Sequence, residues 1–115
     1  MLISIITVVK NDLVRLKNTI SNLNYIYNDI NFEHIIVDGV SDDKTKYFVK
    51  KKQFKNKNII FASSFDCGIY DAMKRGAEFS NGDFVLFLNA GDRLITNKHD
   101  LINTLKKLIQ IELER

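Results

Sequence analysis

The sequence predicts an α/β fold, a mostly parallel sheet with helices packed on it. Three observations predict it. Four short apolar runs, rich in β-branched residues, alternate with four segments of helical periodicity. The runs are apolar almost throughout, the pattern of strands covered on both faces. Each run leads into polar or acidic residues at its carboxyl end, followed by turn or cap formers.

The elements follow in order. Residues 2–9 form a nearly continuous apolar strand. Asn11 or Asp12 can cap the next helix, where Leu13, Leu16, Ile20 and Leu23 recur at helical spacing. Polar residues 28–31 mark a loop before a second strand, 33–38. Gly39 turns the chain, and Ser41 to Asp43 offer caps for a helix over about 44–54. A third strand covers 58–62, and a loop containing Asp66 leads to a helix over 69–79, stopped by Asn81 and Gly82. The fourth strand covers 83–88. After a loop, Leu101, Ile102, Leu105, Leu108 and Ile109 form the stripe of a last helix. Parallel strands joined by helices bind ligands beyond their carboxyl ends, near a switch in strand order.

Composition narrows the class. A chain of 115 residues has room for one domain. With 45% apolar residues and a net charge of +3 it is not a disordered chain. No apolar run approaches the roughly 20 residues of a membrane helix. The opening residues read as a strand, not as a secretion signal. Cys67 is alone, so no internal disulfide forms, and a reducing cytoplasmic setting is expected. His34 lies in a strand and His99 at a helix start. Neither has metal-ligand spacing, and both read as structural. Lys44, Lys46, Lys50, Lys51, Lys52, Lys55 and Lys57 form a basic segment. The small net charge favours its plain reading, a solvated helix face without a stacking pattern for bases, and no nucleic-acid partner is expected.

The strand exits carry the chemistry. The first strand ends near Thr7 and is followed by Asn11, Asp38 ends the second, and Asn89, Ala90, Gly91 and Asp92 follow the fourth. Asp38 can accept hydrogen bonds from a base N–H or ribose hydroxyls, or it can cap the turn at Ser41. Asp92 is a hard oxygen donor of the kind that binds a divalent ion. Gly91 lets a diphosphate approach the backbone, although Asn, Gly and Asp also form simple turns. Asp71 lies in the first turn of its helix, where an acid is favoured by the helix dipole.

Taken together, residues 4–9, 35–45, 66–76 and 87–92 resemble, block by block and in order, the family 2 glycosyltransferases of the GT-A fold. The similarity is strongest to bacterial members that build exopolysaccharide, colanic-acid-type or O-antigen chains. The resemblance implies a Rossmann-like, three-layer α/β/α fold, truncated, with residues 1–115 as the N-terminal donor-binding part and the acceptor half absent. It implies an inverting hexosyltransferase that uses a nucleotide-diphospho-sugar donor, UDP-linked by preference. The acceptor would be a saccharide or lipid-linked chain, handled in the cytoplasm or at the inner face of the membrane. By the same resemblance Thr7, Val9, Asn11, Asp38 and Ser41 meet the nucleotide, and Asp71 lines the donor pocket. Asn89, Ala90 and Gly91 meet the diphosphate, and Asp92 binds Mn²⁺ or Mg²⁺. Asn89 and Gly91 stand where the family's DxD block has acids, which weakens the metal expectation. The chain ends shortly after Asp92, so the catalytic base is expected in the absent half. The last helix is then free for self-association. The alternative is a catalytically incomplete nucleotide-binding module that needs a partner. An unrelated receiver-type signalling domain is disfavoured, because the fourth strand exit lacks the acids and lysine it requires.

Overall fold

The computed structural model describes residues 1–42, 44–65 and 67–113, with side chains as far as Leu108. Asp43, Asp66 and the side chain of Ile109, on which expectations fell, lie outside the described residues. The elements are β1 Ile3–Val9, α1 Leu13–Asn22, a 3₁₀ turn Asn24–Ile26, β2 Phe32–Asp38, α2 Thr45–Lys55, β3 Ile59–Ser63, α3 Ile69–Phe79, β4 Phe84–Phe87 and α4 Lys98–Leu113. The sequence predicts the α/β order and every strand and helix within a few residues. The 3₁₀ turn was not expected, because three residues are too few to show a period.

The sheet is parallel throughout, in the order β3-β2-β1-β4. β1 pairs with β2 from Ile3↔Phe32 to Val9↔Asp38, and with β4 from Ile3↔Phe84 to Ile6↔Phe87. The chain therefore builds outward from β1 to β3, then crosses to the other side of β1. That places the switch in strand order between β1 and β4, where a crevice opens at the carboxyl ends.

Alternation along the strands sets the two cores. Ile3, Ile5, Val9, Phe32 and Ile36 face a cluster with Leu16 and Ile20 of α1, Val49 of α2 and Leu105 of α4. Ile6, Ile35 and Val37 face the opposite side, against Ala72 of α3. Full burial of each such aliphatic side chain stabilises the fold by about 1.5–3 kcal/mol. On α4, Leu101 and Ile102 pack on the first core and Leu105 is buried in it, while Leu108 is exposed. The expected stripe thus turns largely toward its own sheet.

Gly76 explains how α3 lies so close to the sheet. A Cβ there would collide with the Ile6 side chain and stand 3.2 Å from Val37 Cγ2. Gly76→Val is expected to destabilise the fold by about 2–3 kcal/mol through overpacking. A urea denaturation curve followed by far-UV circular dichroism measures it; an unchanged midpoint would refute the close packing.

At the amino edge of the sheet, Glu33 is buried. It accepts hydrogen bonds from Ser4 Oγ at 2.5 Å and from the Asn81 backbone N–H at 2.7 Å. These bonds tie the turn after α3 to β1 and β2. The expected caps of α2 are corrected in one respect. Lys44, whose own side chain makes no cap bond, holds the N-cap position, and the Ser41 hydroxyl is engaged with Asp38 and Asn11 instead; Asp43 lies outside the described residues.

Candidate functional site

The carboxyl ends of β1 and β2 are joined by a hydrogen-bonded network. Asp38 is only 2% exposed. Its carboxylate accepts from Ser41 N–H at 3.2 Å, from the Ser41 hydroxyl, and from the Ser63 hydroxyl at 3.3 Å. Ser41 Oγ in turn accepts from Asn11 N–H at 2.8 Å, and Asn11 Oδ1 accepts from Asp42 N–H at 2.6 Å. Asn11, Asp38 and Ser41 are therefore one unit. A carboxylate has about four acceptor positions, so three bonds leave Asp38 close to one for anything else. Both non-glycine residues with positive φ among those described, Asn11 at 51° and Val40 at 60°, flank this network. Asn tolerates that region, but a β-branched valine there is strained. The strain is held by Gly39 N–H donating to Val9 C=O at 2.9 Å and by the Ser41 bonds.

The exit of β4 forms a second unit. Asp92 N–H donates to Asn89 C=O at 2.8 Å, and the Asp92 carboxylate accepts from Asn89 N–H at 3.0 Å. Gly91, at φ 96°, supplies the left-handed residue this turn requires. Thr19 of α1 fixes the turn from behind: its hydroxyl accepts from Gly91 N–H at 2.8 Å and donates to Asp92 C=O at 2.9 Å. Ala90 N–H donates to Val8 C=O at 3.3 Å, so the turn abuts the end of β1. Asn89 Oδ1 is buried and lacks a hydrogen-bond partner. Asn58 Oδ1, before β3 at the opposite end of the sheet, is the other such acceptor among the described residues. Arg15 passes over Gly91, where a Cβ would stand 3.1 Å from its Cδ. Among the described residues no group of three His, Cys, Asp or Glu is assembled for a metal.

Asp71 belongs to the other face of the sheet. It accepts from Cys67 N–H at 3.0 Å and pairs with Arg75 Nε at 3.2 Å, while Arg75 Nη1 donates to Ser64 Oγ at 3.0 Å. The Cys67 amide bond, followed by the Arg75 side chain, holds the Asp71 carboxyl below the ordinary range. Asp71 thus shapes the start of α3. A cavity of about 360 Å³ opens beside that start, lined by Val8, Val9, Lys10, Gly68 and Ile69.

Thr7 lies deeper than the rim. Its side chain is fully buried beneath the rim, in a 2.7 Å hydrogen bond with His34 Nε2. His34 Nδ1 is 2.8 Å from the Tyr27 hydroxyl. Burial pushes the His34 imidazole down to about 3 and raises the Tyr27 phenol above its ordinary value. The structural reading of His34 holds, and Thr7 joins it as part of the interior. Sequence reasoning missed Thr19, Arg15 and Lys10. Thr19 and Arg15 lie on a helix, far in sequence from the turn they meet. Lys10, next to a strand end, was the one a positional argument had within reach.

The sheet, its switch point and the two exit units invite comparison with known proteins. The model of glycosyl transferase family 2 matches residues 4–108. The chain belongs to this family. An uncharacterized glycosyltransferase of Mycobacterium tuberculosis is 32% identical over 93 residues, covering 79% of this chain and 34% of the relative. A PGL/p-HBAD biosynthesis glycosyltransferase of Mycobacterium bovis is 37% identical over 67 residues, covering 55% of this chain and 25% of that protein. This family 2 chain therefore spans about a third or less of the curated relatives it matches. Among solved structures, the mannosyltransferase PcManGT from Pyrobaculum calidifontis, in complex with GDP-Man and Mn²⁺, superposes with a TM-score of 0.71 at 16% identity, over 82% of this chain and 28% of its own. TarS 1-349 of S. aureus, in complex with UDP, gives 0.69 at 24% identity, over 96% and 32%. The fold of the family 2 chain is thus GT-A, with α1, α2 and α4 on one side of the sheet and α3 on the other.

Proposed function

We propose that this chain binds a nucleotide-diphospho-sugar, a UDP-sugar by preference, and forms the donor-binding part of a glycosyltransferase. Transfer goes with inversion to a saccharide or lipid-linked acceptor, in the assembly of a cell-surface polysaccharide. The observation that carries the reading is the Asn89–Asp92 turn at the β1–β4 switch, where exposed Asp92 stands beside the carboxyl end of β1. The complexes of two GT-A neighbours with GDP-Man and with UDP support it.

In this reading Asp38 offers its remaining acceptor position to the nucleoside, and Asn11 and Ser41 hold that carboxylate in place. Val9 walls the adjoining cavity, and Asp71 positions the start of α3 beside it. Thr7 supports the strand end from below. The turn of Asn89, Ala90, Gly91 and Asp92 receives the diphosphate, with Lys10 and Arg15 as flanking cations. The donors in this turn are oxygens only, one carboxylate and one amide, which fits a hard ion that draws its other ligands from phosphate and water. Mn²⁺ or Mg²⁺ held by Asp92 and Asn89 would neutralise charge on the departing diphosphate. The base that deprotonates the acceptor is expected from the length of the relatives that this chain does not span. That same shortfall favours one second reading, a nucleotide-binding module that completes its chemistry only with that remainder.

Calorimetric titration of UDP, with and without Mn²⁺, tests the proposal. UDP binding that Mn²⁺ strengthens is the expected result, and no detectable binding in either condition overturns it. Asp92→Ala is expected to remove the strengthening, a loss of about tenfold for one charged ligand. If Mn²⁺ still tightens binding to the folded variant, Asp92 is not the ligand.

A further inference from the structure

The outer face of α2 carries chemistry that the rim does not use. Tyr47, Lys50, Lys51 and Phe54 fall at i, i+3, i+4 and i+7, so they share one side of the helix. The opposite side, Thr45 and Val49, is buried. Phe54 is 81% exposed and Tyr47 64%. Lys50, Lys51 and Lys55 are solvated as the plain reading expects, but, against that expectation, aromatic rings interleave with the charges. Lys51 Nζ lies 5.0 Å from the Tyr47 ring centre, Lys57 Nζ 5.4 Å from Phe54, and Lys17 Nζ of α1 5.2 Å from Phe48. A cavity of about 400 Å³ opens among Phe48, Lys51, Lys52, Phe54 and Lys55. No Asp or Glu occurs from residue 44 to residue 57.

We propose that this face docks on the surface of an anionic lipid bilayer. Tyr47 and Phe54 enter the headgroup layer, and the surrounding lysines extend to the lipid phosphates. Two features carry the argument. The charge is of one sign over the whole of residues 44–57, complementary to an anionic surface. The rings are large and wet, and burial against an apolar layer removes them from water. Nucleic acid fits less well. The amides that would read base edges are occupied: Gln53 Nε2 donates to Ile59 C=O at 3.0 Å and Asn56 Nδ2 to Lys52 C=O at 3.1 Å. Among the described residues no helix is long and apolar enough to cross a membrane. The inference is independent of the nucleotide-sugar reading.

Co-sedimentation of the chain with vesicles tests it, using phosphatidylcholine alone and phosphatidylcholine with about a third phosphatidylserine, at low and high salt. Binding to the anionic vesicles at low salt, at least tenfold stronger than to the neutral ones and lost at high salt, is expected. Lys50→Glu with Lys51→Glu should lower partitioning about tenfold or more, and Phe54→Ser severalfold. These positions are exposed, and far-UV circular dichroism of each variant checks that it folds. Absence of binding, equal binding to neutral vesicles, or binding indifferent to Phe54→Ser overturns the proposal. Retention by a single-stranded oligonucleotide without vesicle binding overturns it in favour of nucleic acid.

Discussion

Asp38→Ala is expected to weaken UDP binding by about ten- to a hundredfold and to lower fold stability by about 2 kcal/mol. Both effects come from one carboxylate. It accepts from Ser41 N–H, the Ser41 hydroxyl and Ser63; charge-assisted bonds of this type contribute about 1.5–3 kcal/mol each, offset in part by the cost of burying the carboxylate. Alanine leaves those donors without an acceptor at a position that is 2% exposed. It also releases Asn11, whose N–H bonds to Ser41 Oγ, and so loosens the exits of β1 and β2 together. Ser41→Ala separates the two effects. It removes the hydroxyl bonds but keeps the charge, so stability should fall while most of the affinity remains. Titration calorimetry, run well below the unfolding midpoint from urea curves, measures both. A folded Asp38→Ala variant with undiminished affinity would remove Asp38 from the site.

Acid is expected to destabilise the fold well above the range where carboxylates protonate. His34 is fully buried and neutral, with its imidazole pushed down to about 3 against an ordinary 6.5. Between those values the unfolded chain takes up a proton that the native state refuses, so stability rises with pH. His34 therefore contributes its full share above pH 6.5, and that share is lost as pH falls through the window toward 3. At pH 5 the loss is about 2 kcal/mol, at 1.36 kcal/mol per unit. Asp29 and Asp71, whose carboxyls are held below the ordinary 3.8, act only lower down. Their contribution is present above that value and lost below it. Urea midpoints at pH 7.5 and 5 measure the effect. His34→Gln, which keeps a polar group between Thr7 and Tyr27, should flatten the dependence in this window. A wild-type midpoint that does not move would refute the burial of a neutral His34.

Particular residues show why some of this was legible in the sequence. The apolar runs at 2–9 and 33–38 are local, and a strand buried on both faces leaves no other pattern. Asn89 to Asp92 stand directly after such a run, so their place at the rim followed from strand direction alone. The surroundings of Thr7 were not legible in the same way. It ends no run, and only the register of β1 on β2 reveals that its hydroxyl meets His34 inside the sheet. Tyr47 and Phe54 were legible as residues but not as exposed ones. Exposure depends on which side of α2 faces the core, and Val49 decides that by its burial.

By itself, then, the order of residues determined the α/β alternation, the parallel sheet and the edge at which polar groups gather. Periodicity and strand direction are properties of neighbouring residues, and burial on both faces follows from them. Only the tertiary structure decided the rest. It placed β4 beside β1, joined Asp38 to Asn11 through Ser41, set Thr19 behind the Asn89–Asp92 turn and left Asn89 Oδ1 without a partner. Those facts arise between residues some thirty to eighty positions apart, and no local pattern encodes which of their atoms meet.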